Sequence, residues 1–330
     1  MLAVLLALAA AAGYGGSDYV AGLAARRASV VRVTMLAEAT SATLLLCVVP
    51  FISSQVPSLT SVLWGIAAGV SGAAGAMALY LGFRHADFSV ASSVSAVGTA
   101  AFSVLAGVLR GEKPAALSLA GIALALPAIV AVSVPAKKPA ADATPPDQHD
   151  QQGQGPVTEG PGLEPSGGSG GSLPRTSTRG SRGIASPGRQ RHAAGVALGL
   201  AAGSGFGLFF IGLNEAGSNS DLWPIVISQV AALVTVACLA MATHDLRLPP
   251  TGARQLSLMT GAISAVGTTA FFLATHHGLL AITAVITSLY PATTILLARV
   301  LSGERLTALR IIGLGLAAAS VALIAAGGAG

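Results

Sequence analysis

The chain has 330 residues, 53% of them hydrophobic and only 9% charged, with a formal net charge of +5. Soluble domains carry about 25% charged residues, so this chain lacks the polar surface to face water on every side and reads as an integral membrane protein. Its basic residues lie in short connections and one linker, with no aromatic-studded basic face, which argues against nucleic acid as a partner.

A hydrocarbon core of about 30 Å takes about 20 apolar residues to cross as helix, and runs of that kind recur along the chain. They fall near residues 2–25, 31–49, 60–83, 88–109 and 115–134, then 193–213, 222–242, 255–276, 280–301 and 308–327. The alternating segments of about ten residues that mark membrane barrels are absent, so the expected fold is all-α with ten transmembrane helices. The opening MLAVLLALAAAAG has the apolar core and small-residue end of a signal peptide. No basic stretch precedes it and it runs on into a repeated segment, so it is expected to stay as the first helix.

Taken in order, the first run carries GYGGSDY, with Tyr14 and Asp18 one turn apart, and the second carries Glu38. An ionisable group near the bilayer centre costs about 2.5–3.5 kcal/mol on the insertion scale, so such groups face a polar interior or pair off. Two readings of Asp18 stand: it lines a solute path, or it pairs with Arg26 or Arg27 near the helix end. The fourth run places Ser92, Ser95 and Thr99 at helical spacing, and the ninth holds Thr287, Tyr290, Pro291 and Thr294. Membrane hydroxyls either bond back to their own helix or face a path. Pro291 leaves the carbonyl one turn earlier without an amide partner and allows a kink there. Residues 136–192 turn abruptly to Pro, Gly, Ser, Gln and charge, as in DATPPDQHDQQGQGPVTEGPGLEPSGGSGGSLP, and read as a disordered tether. His276 and His277 fall at a helix end and read as interfacial. Cys47 and Cys238 sit in apolar runs without metal-ligand spacing, so no metal and no cofactor is expected.

The two halves repeat. The stretch from Phe83 matches that from Thr275, about 192 residues later, without a gap: Gly111-Glu112-Lys113 falls on Gly303-Glu304-Arg305, Leu117 on Leu309 and Gly121 on Gly313. Upstream, Gly69, Gly75 and Tyr80 fall on Gly261, Gly267 and Phe272, and Gly13 and Gly15 meet Gly203 and Gly205 after a shift of two residues. Gln229 lies near the position equivalent to Glu38. Five spans per half is an odd number, so the expected architecture is two inverted five-helix repeats, 1–135 and 193–330, joined by the linker 136–192. The paired GE turns are read as structural: glycine takes the left-handed conformation that ends a helix, and Glu112 or Glu304 faces the positive end of the helix that follows. Gly195, Gly199, Gly203 and Gly207, like Gly65 and Gly69, make small-residue faces that serve contacts within one chain or in a homodimer.

Two five-helix halves, a glycine-rich first helix with GYGGSDY and a GE turn between the last two helices of each half resemble the drug/metabolite transporter superfamily, specifically its ten-helix EamA-type members. The resemblance covers all but the linker. It departs at the Trp-Gly pair of the first and sixth helices, which appears here as Gly13-Tyr14-Gly15 and Gly203-Ser204-Gly205. It implies a small organic solute, amino acid or drug, often moved outward across the plasma membrane.

The sequence therefore reads as a secondary transporter whose solute path is drawn from Tyr14, Asp18, Glu38, Ser92, Ser95, Thr99, Gln229, Thr287, Tyr290, Pro291 and Thr294, with protons as coupling ion. No GxxxxGK[ST] loop is present, so ATP hydrolysis by this chain is not expected, and no residue is assigned to catalysis. The rival readings are a membrane enzyme acting on a lipid or isoprenoid carrier, which needs clustered carboxylates, His or Arg at one face, and a non-transporting scaffold acting through the linker. The excess of Arg and Lys on the linker side places that side in the cytoplasm and the N-terminus outside, whereas the family resemblance implies the reverse.

Overall fold

The computed structural model describes residues 1–53, 55–85, 88–134, 187–217, 221–303 and 306–327; for 80, 83–85, 88–90, 92, 93, 187–192 and 302 it describes the backbone alone. The described residues are helical, with no strand among them: α1 (Leu2–Ala25), α2 (Val30–Ile52), α3 (Leu59–His85), α4 (Phe88–Leu109), α5 (Ala116–Ser133), α6 (Pro187–Glu215), α7 (Trp223–Ala242), α8 (Thr251–His276), α9 (Leu280–Thr287), α10 (Tyr290–Ser302) and α11 (Ala308–Gly327). Among them, nine spans are long and apolar enough to cross a membrane, and Val94–Leu109 of α4 is a shorter apolar helix. The chain is a multi-pass membrane protein.

The sixth and ninth spans differ most from expectation. The sixth helix begins at Pro187 rather than at 193, with proline in the first turn, where its missing amide has no helical partner to lose. The rest of the tether expected over 136–192 lies outside the described residues. The ninth span is two helices, α9 and α10, parted at Ser288 and Leu289. Pro291 sits in the first turn of α10 and offers no amide to the Thr287 carbonyl, so the chain restarts its helix there.

Packing is the reverse of a soluble protein. Large apolar side chains stand outside, Val300 at 76% exposure and Phe51 at 88%, while much of the interior is alanine and glycine. In lipid the outer face needs no burial, and association rests on close backbone approach. A Cβ on Gly13 of α1 would lie 2.6 Å from the Gly267 Cα of α8, and one on Gly205 of α6 would lie 2.7 Å from the Gly75 Cα of α3. Gly69 of α3 presses on the Ser228 carbonyl of α7, and Gly261 of α8 presses on the Ala37 carbonyl of α2. Gly199, Gly203 and Gly207 meet α4, so these faces are filled within the chain.

Gly111 and Gly303, at φ 86° and 67°, take the left-handed conformation expected of the two GE turns. Glu112 does not serve the helix that follows it, however. Its carboxylate accepts the Leu280 and Ala281 amides at 2.7 and 2.9 Å and so caps α9, in the other half of the chain. Two charge-assisted bonds to otherwise unpaired helix amides predict that Glu112→Ala lowers stability by about 2 kcal/mol, measured by thermal unfolding in mild detergent. Glu304 lies outside the described residues.

The connection after α1 is tied to the one after α7: Ser29 and Arg32 both bond to the Asp245 carboxylate. The Ser29 hydroxyl, and then Arg32, hold that carboxyl below its ordinary range. A depressed carboxyl stabilises the fold at pH above its unfolded value and loses that contribution as the pH falls through the folded one. Unfolding temperature should therefore drop on acidification from neutral pH to below the ordinary carboxylate range, with a smaller drop in Asp245→Asn, which lacks the titrating group. Equal drops in the two proteins would refute the assignment. On the α4 side, Arg110 pairs with Glu215 at 2.8 Å, and the Gln55 amide donates to Asp221 at 3.3 Å.

Candidate functional site

The helices border a central cavity of about 130 Å³, lined from α1, α2, α3, α4, α6, α7, α8 and α10, with α5 and α11 packed on each other outside it. Its polar wall begins with Tyr14, Ser17 and Asp18, which succeed one another on a single face of α1. The Tyr14 hydroxyl donates to Thr268 Oγ1 at 3.2 Å, and its ring stacks on Phe210 with centroids 6.2 Å apart. Phe210 stacks in turn on Phe271 at 3.9 Å, making one side of the chamber aromatic.

On the facing helices, Gln229 Nε2 donates to Glu38 Oε2 at 3.2 Å and to Ser41 Oγ at 2.6 Å. The Glu38 carboxyl and the Gln229 amide thus meet directly. The Asp18 carboxyl makes neither a hydrogen bond nor an ion pair among the described residues, so the pairing with Arg26 or Arg27 is not what the structure has. It points to the lining with no cation beside it. Two further polar groups lack partners. The Thr34 and Tyr290 hydroxyls are buried and complete no hydrogen bond of ordinary geometry among the described residues, although both residues line the cavity.

The sequence-predicted residues separate cleanly. Tyr14, Asp18, Glu38, Thr99, Gln229 and Tyr290 line the cavity. Ser95 is buried beside Tyr290 but outside the lining, and neither hydroxyl closes a bond of ordinary geometry. Thr294 donates to the Gly15 and Tyr290 carbonyls at 3.0 and 3.2 Å, and Thr287 approaches the Ala7 carbonyl at 3.5 Å. Those two threonines tie α9 and α10 to α1 and do not face the cavity. Pro291 acts through the break and also lies outside the lining, while the Ser92 side chain lies outside the described residues. Thr99 bonds back to the Ser95 carbonyl at 2.9 Å even while it borders the cavity. His276 bonds back to the Phe272 carbonyl at 2.7 Å at the end of α8.

Sequence reasoning missed the wall from α8, where Thr260, Ser264 and Thr268 recur every fourth residue. That spacing is the same signal that singled out α4. It also missed Phe206, Phe209 and Phe210 of α6, which supply the aromatic surface that the Gly203-Ser204-Gly205 triplet does not. Among the described residues, no group of three or more His, Cys, Asp or Glu could hold a metal ion.

Residues 193–326 match the model of the EamA-like transporter family. No curated protein matches the chain. The fold is similar to that of a solved structure, described only as the crystal structure of a protein, at a TM-score of 0.64 and 14% identity, with 97% of this chain and 95% of that one covered.

Proposed function

Since residues 193–326 form a domain of the EamA-like transporter family, within the drug/metabolite transporter superfamily, we propose that the whole chain is a secondary active transporter. It exports a small organic metabolite, amino acid or drug across the plasma membrane by alternating access, with protons as the coupling ion. The observation that carries this reading is the central cavity, whose wall joins carboxyls, an amide, hydroxyl residues and aromatic rings within an apolar bundle.

Alternating access follows from two inverted halves that rock about such a chamber. Its support is that the tight contacts keep their form when the halves are exchanged. Gly13 with Gly267 corresponds to Gly205 with Gly75, and Gly121 with Ile324 corresponds to Gly313 with Val132. Further support comes from the connections: an inverted ten-span path puts Ser29 with Asp245 on one face, and Ser53 with Leu222 on the other. Ser29 bonds Asp245, and the Leu222 amide donates to Ser53 at 3.4 Å. The basic excess lies on the first of these faces, which we take as cytoplasmic. With the glycine faces filled within the chain, a homodimer would use the exposed apolar surface.

Two carboxyls in the chamber give protons a place to ride. The test is flux in proteoliposomes with a panel of amino acids, amines and drugs, with and without a pH gradient. The expected result is uptake of at least one class that an imposed gradient accelerates about tenfold or more; no flux of any of them, with the protein folded, would refute transport.

A further inference from the structure

The chamber is chemically one-sided. It holds two carboxyl groups, Asp18 and Glu38, and among the described residues no Lys, Arg or His lines it. Tyr14 lies within electrostatic reach of both, and Tyr290 within reach of Asp18. An anionic solute would meet like charge on entering, and a neutral one could give the Asp18 carboxyl a hydrogen bond but no opposite charge. A cation satisfies it.

The rest of the wall narrows the class. Phe206, Phe209 and Phe210 border the chamber, and a desolvated ammonium gains from aromatic rings close by. The two carboxyls can each accept an N–H. Quaternary ammonium ions have no N–H to give. A cavity of about 150 Å³ holds a benzene ring, so the 130 Å³ here suits one ring or a compact aliphatic body.

Resting on the transport reading, we propose that the solute is a small protonated amine with an apolar or single-ring body, its N–H groups taken by Asp18 and Glu38.

The test compares benzylammonium, benzyl alcohol and benzoate, which differ mainly in charge, for binding to the purified full chain by calorimetry. Benzylammonium should bind about tenfold or more tightly than benzyl alcohol, and benzoate more weakly still. Asp18→Asn combined with Glu38→Gln should erase that preference, but the selectivity of the unmutated protein decides the matter even if the variant fails to fold. Absence of benzylammonium binding, or binding of benzyl alcohol or benzoate as tight as the amine's, overturns the assignment. Flux of neutral or anionic solutes without amine binding would remove this proposal and leave transport standing. Amine binding with no flux of any solute would do the reverse.

Discussion

Glu38→Gln is expected to cut proton-driven flux by about a hundredfold, equivalent to about 2.7 kcal/mol on the limiting barrier, while leaving the fold intact. The substitution keeps the shape of the side chain and one oxygen to accept from Gln229, so the contact at 3.2 Å survives. What it removes is the exchangeable proton. Solute exchange without a pH gradient should therefore persist, and the two rates separate coupling from binding. The measurement is uptake into proteoliposomes at matched protein content, with thermal unfolding as the check on folding. Gradient-driven uptake equal to that of the unmutated chain would show that Glu38 does not carry the proton.

Gly69→Leu should abolish the folded state, at a cost of about 3 kcal/mol or more. At this position the first atom of any side chain overlaps the Ser228 carbonyl and comes within 2.7 Å of the Ala231 Cβ, so α3 and α7 must part. The carbonyl belongs to helical backbone and has little freedom to yield. Gly22 is the control, since nothing lies within 4 Å of a Cβ placed there. Gly22→Leu should change stability by about 1 kcal/mol or less. Size-exclusion profiles and unfolding temperatures in mild detergent compare them directly, and equal behaviour of the two variants would refute the packing described.

The helices were legible because lipid imposes length: an apolar run that spans the hydrocarbon core has no alternative that satisfies its backbone. The break in the ninth span was legible as far as Pro291, since a missing amide is a local fact. Its place at Ser288 and Leu289 was not. The cavity residues were readable where polarity is rare, as at Asp18, Glu38 and Gln229, because a membrane helix keeps such a group only for a reason. Hydroxyls were less readable. Thr99 and Thr294 have the same chemistry, yet one borders the chamber and the other bonds the Gly15 carbonyl, a choice set by which neighbour each helix face meets. Glu112 shows the same limit. Its preference for a helix start was evident from residue type, but its partner, the Leu280 amide, is 168 residues away in the chain. Glycine spacing marked the close-packed faces, but not their partners: Gly13 meets Gly267 and Gly205 meets Gly75 only in the folded chain.

The most direct test is access to the chamber itself. Ser264, on the α8 wall, is replaced by cysteine in a chain whose exposed Cys47 and Cys238 have been changed to alanine. A membrane-impermeant thiol reagent is then applied from either side of oriented vesicles. Alternating access predicts labelling from both faces, slowed from both by a transported solute. Labelling confined to one face whatever the gradient, or absent from both, would contradict it.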